Sequence, residues 1–423
     1  MAKGKEKRIL IVLDGVADRP CSELGGKTPL QAANTPNLDY FAKSGKSGFM
    51  YPIKEGVAPE SDVAVTAILG YDPYKYFTGR GPLEAYGACI SFSEGDLALR
   101  ANFGTIKDGK IIDRRVGRTL TTKEAEALAS AINKHVKLEK FKFIFKPTIQ
   151  HRGVLVIKGS FSDNITNTDP AYEKWGSFSV AKQKENVIKD SKPLDDDEIS
   201  KLSANLVNSF IQQSQKILEN HPVNHYRIKK GLLPANIILT RDAGTKLPNF
   251  PKKEKWLAIA GMPLEIGIAK LAGMKVAEFA YPETGRDAYK TLYEGLDREI
   301  KAAVNVLSKK LSSYDNFYIH IKETDVPGHD GLPLEKKKMI EILDKKLFGW
   351  LKARTRKNKN IIICVTADHS TPCALKMHSS DPVPILVYGK GTDGTEAFDE
   401  KSCRKGSIGK IYGKDILKND NIF

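Results

Sequence analysis

Ile9-Leu10-Ile11-Val12-Leu13-Asp14-Gly15 is a run of five branched apolar residues stopped by a carboxylate and a glycine. The run is strand-length, and its lack of polar alternation fits a strand buried on both faces of a mostly parallel sheet. Two later stretches repeat the pattern. Phe317-Tyr318-Ile319-His320-Ile321 is followed by Glu323 and Asp325, and Ile361-Ile362-Ile363-Cys364-Val365 leads to Asp368-His369. Helical segments lie between. Leu264 to Leu271 keeps a helical spacing despite Gly267, and Asp297 to Leu311 sets Ile300, Val304 and Leu307 on one face. Met339 to Leu351 continues with Ile340, Leu343, Leu347 and Leu351. Strands alternating with helices predict a doubly wound α/β domain. Ligands bind such open sheets outside the carboxyl ends of strands, and Asp14, Asp325 and Asp368 all fall there.

The stretch from about Gly95 to Lys246 reads differently. It holds short strand candidates, Gly153 to Ile157 and Asn236 to Thr240 among them, and a polar loop from Lys182 to Ser191. Asp195-Asp196-Asp197-Glu198 then opens an amphipathic helix with Ile199, Leu202, Leu206, Phe210 and Ile217 on its apolar side. The expected organisation is an α/β domain of residues 1–94 and 247–423, with residues 95–246 inserted into it as an α+β domain.

At 423 residues the chain is too long for one ordinary core, which agrees with this division. No stretch approaches the roughly 18 consecutive apolar residues of a membrane span, so no membrane partner is expected. The basic start, Met1 to Arg8, precedes only a short apolar run and no small-residue cleavage pattern, unlike a signal peptide. Five scattered cysteines (Cys21, Cys89, Cys364, Cys373, Cys403) form no C-x-x-C pair, which suits reduced thiols in the cytoplasm and makes thiolate-held zinc improbable. A formal net charge of +16 invites a nucleic-acid reading, but the basic residues are dispersed and no nucleic-acid motif is visible. The charge would instead draw small anions such as a phosphorylated substrate. No interface pattern stands out, so a homo-oligomer is left open.

Chemistry concentrates at the strand ends. Asp325-Val-Pro-Gly-His329 sets a carboxylate and an imidazole four residues apart, Asp368-His369 sets them side by side, and His378 follows nine residues later. With Asp14 these are six oxygen and nitrogen ligands, suited to manganese, zinc or magnesium. Singly, each has a plainer explanation: an Asp-x-x-x-His is often a capped turn, and a strand-terminal Asp is often a helix cap. Their convergence on one sheet edge carries the signal, and three of the chain's eight histidines belong to it. Ser61, in Ala58-Pro59-Glu60-Ser61-Asp62-Val63, is the nucleophile candidate. It opens a helix expected to run to about Leu69, where free N–H groups favour a phosphate. A plain serine N-cap would look the same.

These residues resemble the metal and nucleophile pattern of the alkaline phosphatase superfamily. More closely, the chain resembles the archaeal-type cofactor-independent phosphoglycerate mutases. Supporting stretches are Gly25 to Leu30, Ala33 to Asp39, Thr78 to Glu84, Arg100 to Phe103 and Ile112 to Arg118, and the resemblance runs through nearly the whole chain. It implies an alkaline-phosphatase-like sheet and two divalent metals, with no organic cofactor. Asp325, His329 and His378 would hold one metal; Asp14, Ser61, Asp368 and His369 would hold the other, with Ser61 as nucleophile. The inserted domain would grip the glycerate through Arg114, Arg115, Arg118, Arg152 and Arg241, with His151 and Asp169 nearby. Arginine suits that task because its planar fork matches carboxylate and phosphate oxygens. The implied reaction moves phosphate from 3-phosphoglycerate to Ser61 and back to the 2-hydroxyl. Two features of the bacterial mutases are altered here: their phosphate-contacting lysine has no evident counterpart, and Pro59-Glu60-Ser61 replaces Gly-Asn-Ser. A phosphatase or another phosphomutase would use the same metals and serine with a different acceptor.

Overall fold

The computed structural model describes residues 6–176, 178–181, 186–420 and 422–423. Residues 1–5 of the basic start and residues 182–185 of the expected Lys182–Ser191 loop lie outside them. Strands in chain order are β1 Lys7–Leu13, β2 Gly45–Tyr51, β3 Leu97–Lys107, β4 Lys110–Asp113, β5 Phe143–Pro147, β6 Arg152–Ile157, β7 Tyr172–Trp175, β8 Phe178–Ala181, β9 Ile237–Gly244, β10 Trp256–Ile259, β11 Lys275–Ala277, β12 Asn316–Ile321, β13 Ile361–Thr366, β14 Val383–Tyr388 and β15 Gly409–Tyr412.

Eight of them form one sheet in the order β11-β10-β12-β1-β13-β14-β2-β15. Neighbours are parallel except that β14 runs against both β13 and β2. The three apolar runs are thus adjacent central strands, with β1 between β12 and β13, buried on both faces. Their register matters for the site. Leu13 lies opposite Ile321, and Val12 lies opposite both His320 and Thr366. The residues just beyond, Asp14, Lys322 and Asp368, therefore emerge together at one sheet edge.

A second, antiparallel sheet runs β4-β3-β6-β5, with β9 also paired to β3. Leu97, Leu99, Ala101 and Phe103 of β3 face a separate core, closed by helices Thr122–His135 and Glu198–Glu219 through Leu128, Ile132, Val207 and Phe210. Residues on one strand alternate between faces, so Arg100 and Asn102 turn the other way. Arg100 is paired in register with Arg241 of β9, and Asn102 with Arg152 of β6. Like charges directly opposite on a sheet are destabilising. Carboxylates offset the Arg100–Arg241 pair, Glu84 meeting Arg100 and Glu60 meeting Arg241.

Helix Arg80–Gly87 joins the two sheets. Its Ala85 packs with Ala98, Val154 and Val156 of the antiparallel sheet, and Gly87 abuts helix Pro263–Leu271. A Cβ on Gly87 would come within 1.7 Å of the Pro263 carbonyl oxygen, and one on Gly267 within 2.1 Å of that of Leu83.

The segment expected as one helix from Met339 to Leu351 is Pro333–Leu343 followed by a π-helical turn, Asp344–Phe348, and a further helix, Gly349–Lys357. The Asp344 carboxylate accepts from the backbone N–H groups of Asn37 (3.0 Å) and Leu38 (2.7 Å), capping helix Pro36–Lys43. The helix expected from Asp297 begins earlier, at Ala288, because Asp287 accepts from the Lys290 N–H and caps it. No helix among the described residues is long and apolar enough to cross a membrane.

Candidate active site

Ser61 is the first residue of helix Ser61–Ile68, all of which is buried. The N-cap position belongs to Glu60, so the plain-cap explanation of Ser61 does not hold. Its hydroxyl instead lies 3.2 Å from His369 Nε2.

The imidazoles around it share one orientation. His378 Nδ1 donates to the Pro59 carbonyl (2.9 Å) and His329 Nδ1 to that of Lys376 (3.1 Å). His369 Nδ1 donates to Thr371 Oγ1 (3.0 Å), whose own proton goes to Asp325 Oδ1 (2.8 Å). Each ring thereby turns Nε2 inward. His369 Nε2 meets Asp14 Oδ1 at 3.4 Å and Asp368 Oδ2 at 3.3 Å. His329 Nε2 meets Asp325 Oδ2 at 3.4 Å, and His378 Nε2 meets Asp325 Oδ1 at 3.8 Å. Asp14 Oδ1 and Asp368 Oδ2 are buried and have no hydrogen-bond partner among the described residues.

Burial lowers the pKa of His369, outweighing the neighbouring carboxylates, and burial also drives His329 well below its ordinary value. A neutral imidazole presents a lone pair at Nε2 when Nδ1 carries the proton. Lone pairs facing carboxylate oxygens without a donor are unfavourable, and a cation relieves them. The residues fit divalent ions on that ground.

Sequence reasoning missed the cations already present. Lys322 Nζ contacts Asp14 Oδ2 and lies 3.8 Å from Asp325 Oδ2, bridging the two donor groups. His320 Nε2 also bonds Asp14 Oδ2 (2.9 Å). Burial alone would raise the Asp14 carboxyl, but Lys322 and His320 hold it below the usual carboxylate range. Burial opposes protonation of His320, yet Glu265 and Asp14 push it up to about 9. Because His320 serves Asp14 Oδ2, Oδ1 is left facing His369. The signal was present: Tyr318 and His320 of β12 and Lys322 just past its end alternate, so two polar groups share one face at the end of an otherwise apolar strand.

Glu60 was visible only as a departure from the bacterial pattern. In the structure it pairs with His378 Nδ1 (3.1 Å), Arg241 Nη1 (3.1 Å) and Arg80 Nη1 (3.6 Å). These cations hold its carboxyl well below the ordinary range against the effect of burial. His378, disfavoured by burial, is raised to about 9 by Glu60.

Arginines close the cavity over Ser61. Of the expected substrate residues, Arg115, Arg118, His151, Arg152 and Arg241 line it, beside Ser61, Lys322, His329 and His378. Arg114 lies at the outer mouth instead, and Asp169 lies outside the cavity, bonded to Arg114 Nε at 2.8 Å. Arg80, Arg100, Asn102 and Tyr172 also line the cavity and were not singled out as site residues. The Tyr172 ring stacks on the Arg241 guanidinium at 3.4 Å. Arg100 and Arg80 both bond buried Glu84 (2.7 and 2.6 Å). Their charges pull its carboxyl down to about 2, although burial alone would raise it.

The family model described as 2,3-bisphosphoglycerate-independent phosphoglycerate mutase matches residues 42–224. A relative of that name from Aeropyrum pernix is 42% identical, covering 96% of this chain and 96% of its own length. A solved structure of a Pyrococcus horikoshii protein superposes with a TM-score of 0.73 at 31% identity, covering 98% of this chain and 96% of that one. The cofactor-independent phosphoglycerate mutase of Thermoplasma acidophilum superposes with a TM-score of 0.55 at 34% identity, covering 98% of each chain. The chain belongs to the 2,3-bisphosphoglycerate-independent phosphoglycerate mutase family.

Proposed function

We propose that the chain interconverts 3-phosphoglycerate and 2-phosphoglycerate through phosphorylation of Ser61. The observation carrying this reading is the position of the Ser61 hydroxyl, 3.2 Å from His369 and at the floor of an arginine-lined cavity. Asp14, Ser61, Asp368 and His369 would hold one divalent ion, and Asp325, His329 and His378 a second, whether manganese, magnesium or zinc; no organic cofactor is called for. When bound, such ions stabilise charge on the transferring phosphoryl group and favour the serine alkoxide.

The remaining work falls to the chain. The start of helix Ser61–Ile68 offers a phosphate the positive end of the helix dipole. Lys322 adds a positive charge beside Asp14 and Asp325. Arg115, Arg118, Arg152 and Arg241 grip the carboxylate of the small-molecule substrate and keep the glycerate enclosed while it turns, with Arg114 at the entrance and Asp169 fixing Arg114. The residues divide as 1–94 with 247–423, which carry the nucleophile, and 95–246, which carry most of the arginines. A cleft between such parts can exclude water until transfer is complete.

Incubation with 3-phosphoglycerate tests the reading. The expected product is 2-phosphoglycerate without free phosphate, and Ser61→Ala should abolish turnover while metal content stays nearly intact. Turnover retained by that variant would reject the nucleophile; release of free phosphate alone would make the chain a phosphatase.

A further inference from the structure

The carboxylates that line the cavity are already engaged by cations. Glu60 is paired with His378 and Arg241, and Asp325 lies against His329 and Lys322. His151 is different. It is 3% exposed, lines the same cavity, and its Nδ1 has no hydrogen-bond partner among the described residues. Asp169 also has an unpartnered oxygen, but it lies outside the cavity.

The sheet, not a loose loop, places this imidazole. His151 ends the turn between β5 and β6, and its carbonyl accepts from the Phe103 N–H of β3 at 2.7 Å. The charges facing it are Arg152 of β6, Arg100 of β3, and Arg115 and Arg118 from the turn after β4. Burial, then these guanidinium groups, hold the free protein's imidazole neutral. A bound phosphoglycerate brings a carboxylate and a phosphate into the same cavity, which offsets the guanidinium field and lets the ring take up a proton.

Given the mutase reading, two glycerate oxygens must exchange a proton. The 3-oxygen leaves phosphorus and needs one; the 2-hydroxyl attacks phosphorus and must lose one. We propose that His151 is the catalytic acid–base for both, giving its proton to the 3-oxygen as that P–O bond breaks and taking one from the 2-hydroxyl as it attacks phosphoserine. The proton count closes. Ser61 enters as the alkoxide, holds the phosphoryl group, and leaves as the alkoxide; the ring enters and leaves as imidazolium, and one phosphoryl group has moved from one glycerate oxygen to the other.

His151→Gln and His151→Ala test this in the metal-loaded, full-length chain. Removing a general acid–base costs about 10²–10⁴-fold in rate, and the loss should fall on kcat with KM little changed. Wild-type kcat should decline at alkaline pH as the bound complex loses the imidazolium proton, and that limb should vanish in His151→Gln. Added imidazole should restore part of the His151→Ala rate, which a merely structural role would not allow. A wild-type mutase whose His151→Gln variant keeps both its kcat and its alkaline limb would overturn the assignment alone, as would failure of imidazole to restore His151→Ala. A wild-type chain with no mutase turnover would overturn the mutase reading and this assignment together.

Discussion

Glu84 is a carboxylate 1% exposed, facing two guanidinium groups that line the cavity. Breaking a buried pair strands the remaining charge and costs about 3–5 kcal/mol. Glu84→Gln should therefore lower chemical-denaturation stability by about that amount, and a variant as stable as wild type would show the arginines find other partners. The pH sign follows from the depressed pKa. A folded value near 2 against an ordinary 4.5 contributes stability that is complete above about 4.5 and lost as pH falls toward 2. Wild-type melting temperature should drop through that window, and the Glu84→Gln variant should lose that share of the slope. Individual residues were legible to different depths. Asp14, Asp325 and Asp368 could be read because each follows an apolar run. Glu60 could not, because a glutamate before a serine is ordinary until His378 and Arg241, far along the chain, are known as its partners; Lys322 showed only as a polar residue in step with His320, with nothing to name Asp14 as its partner.

At the scale of elements, helix Arg80–Gly87 and the β7–β8 hairpin carry the connection between the two sheets. Gly267 sits inside helix Pro263–Leu271, where an alanine would normally gain about 1 kcal/mol in helix propensity. Here its Cβ would strike the Leu83 carbonyl at 2.1 Å, so Gly267→Ala should destabilise the protein by about 1–3 kcal/mol in urea unfolding. A stabilised variant would show that the two helices can separate freely. The hairpin reaches from the cavity to the larger core. Tyr172 stacks on Arg241, and Phe178 packs against Tyr74 and Phe77. If it helps keep water out, Phe178→Ala should raise the fraction of phosphate lost to hydrolysis per mutase turnover, measured as free phosphate from 3-phosphoglycerate; an unchanged fraction would remove the hairpin from that task. The hairpin was not legible beforehand, since its strands are four residues each and carry no long apolar run. The long helix Glu198–Glu219 was, from its acidic start and its spaced apolar face, of which Leu206 and Phe210 are buried, whereas Ile199 in the first turn is exposed.

Across the whole molecule, the residues proposed to hold divalent ions come from distant parts of the chain and lie close together, largely buried, so occupancy should couple to folding. Stripping divalent ions with a chelator should lower the melting temperature, and restoring them should recover it in proportion to the logarithm of free ion. A melting temperature indifferent to both would argue against resident ions. The +16 charge acts at the same scale: kcat/KM for phosphoglycerate should fall as salt rises, since the field that gathers anions is screened. What the chain alone determined was local and periodic. Uninterrupted apolar runs specify buried parallel strands, and in such a sheet the residues after them must emerge at one edge; that placed Asp14, Asp325, Asp368 and His369 in common company. Only the tertiary structure decided which partners meet: Arg100 beside Arg241 on adjacent strands, Glu60 between His378 and two arginines, Lys322 between the donor groups, Arg114 at the mouth and not inside. Those pairings depend on strand register and on how two separate cores dock, and sequence periodicity carries neither.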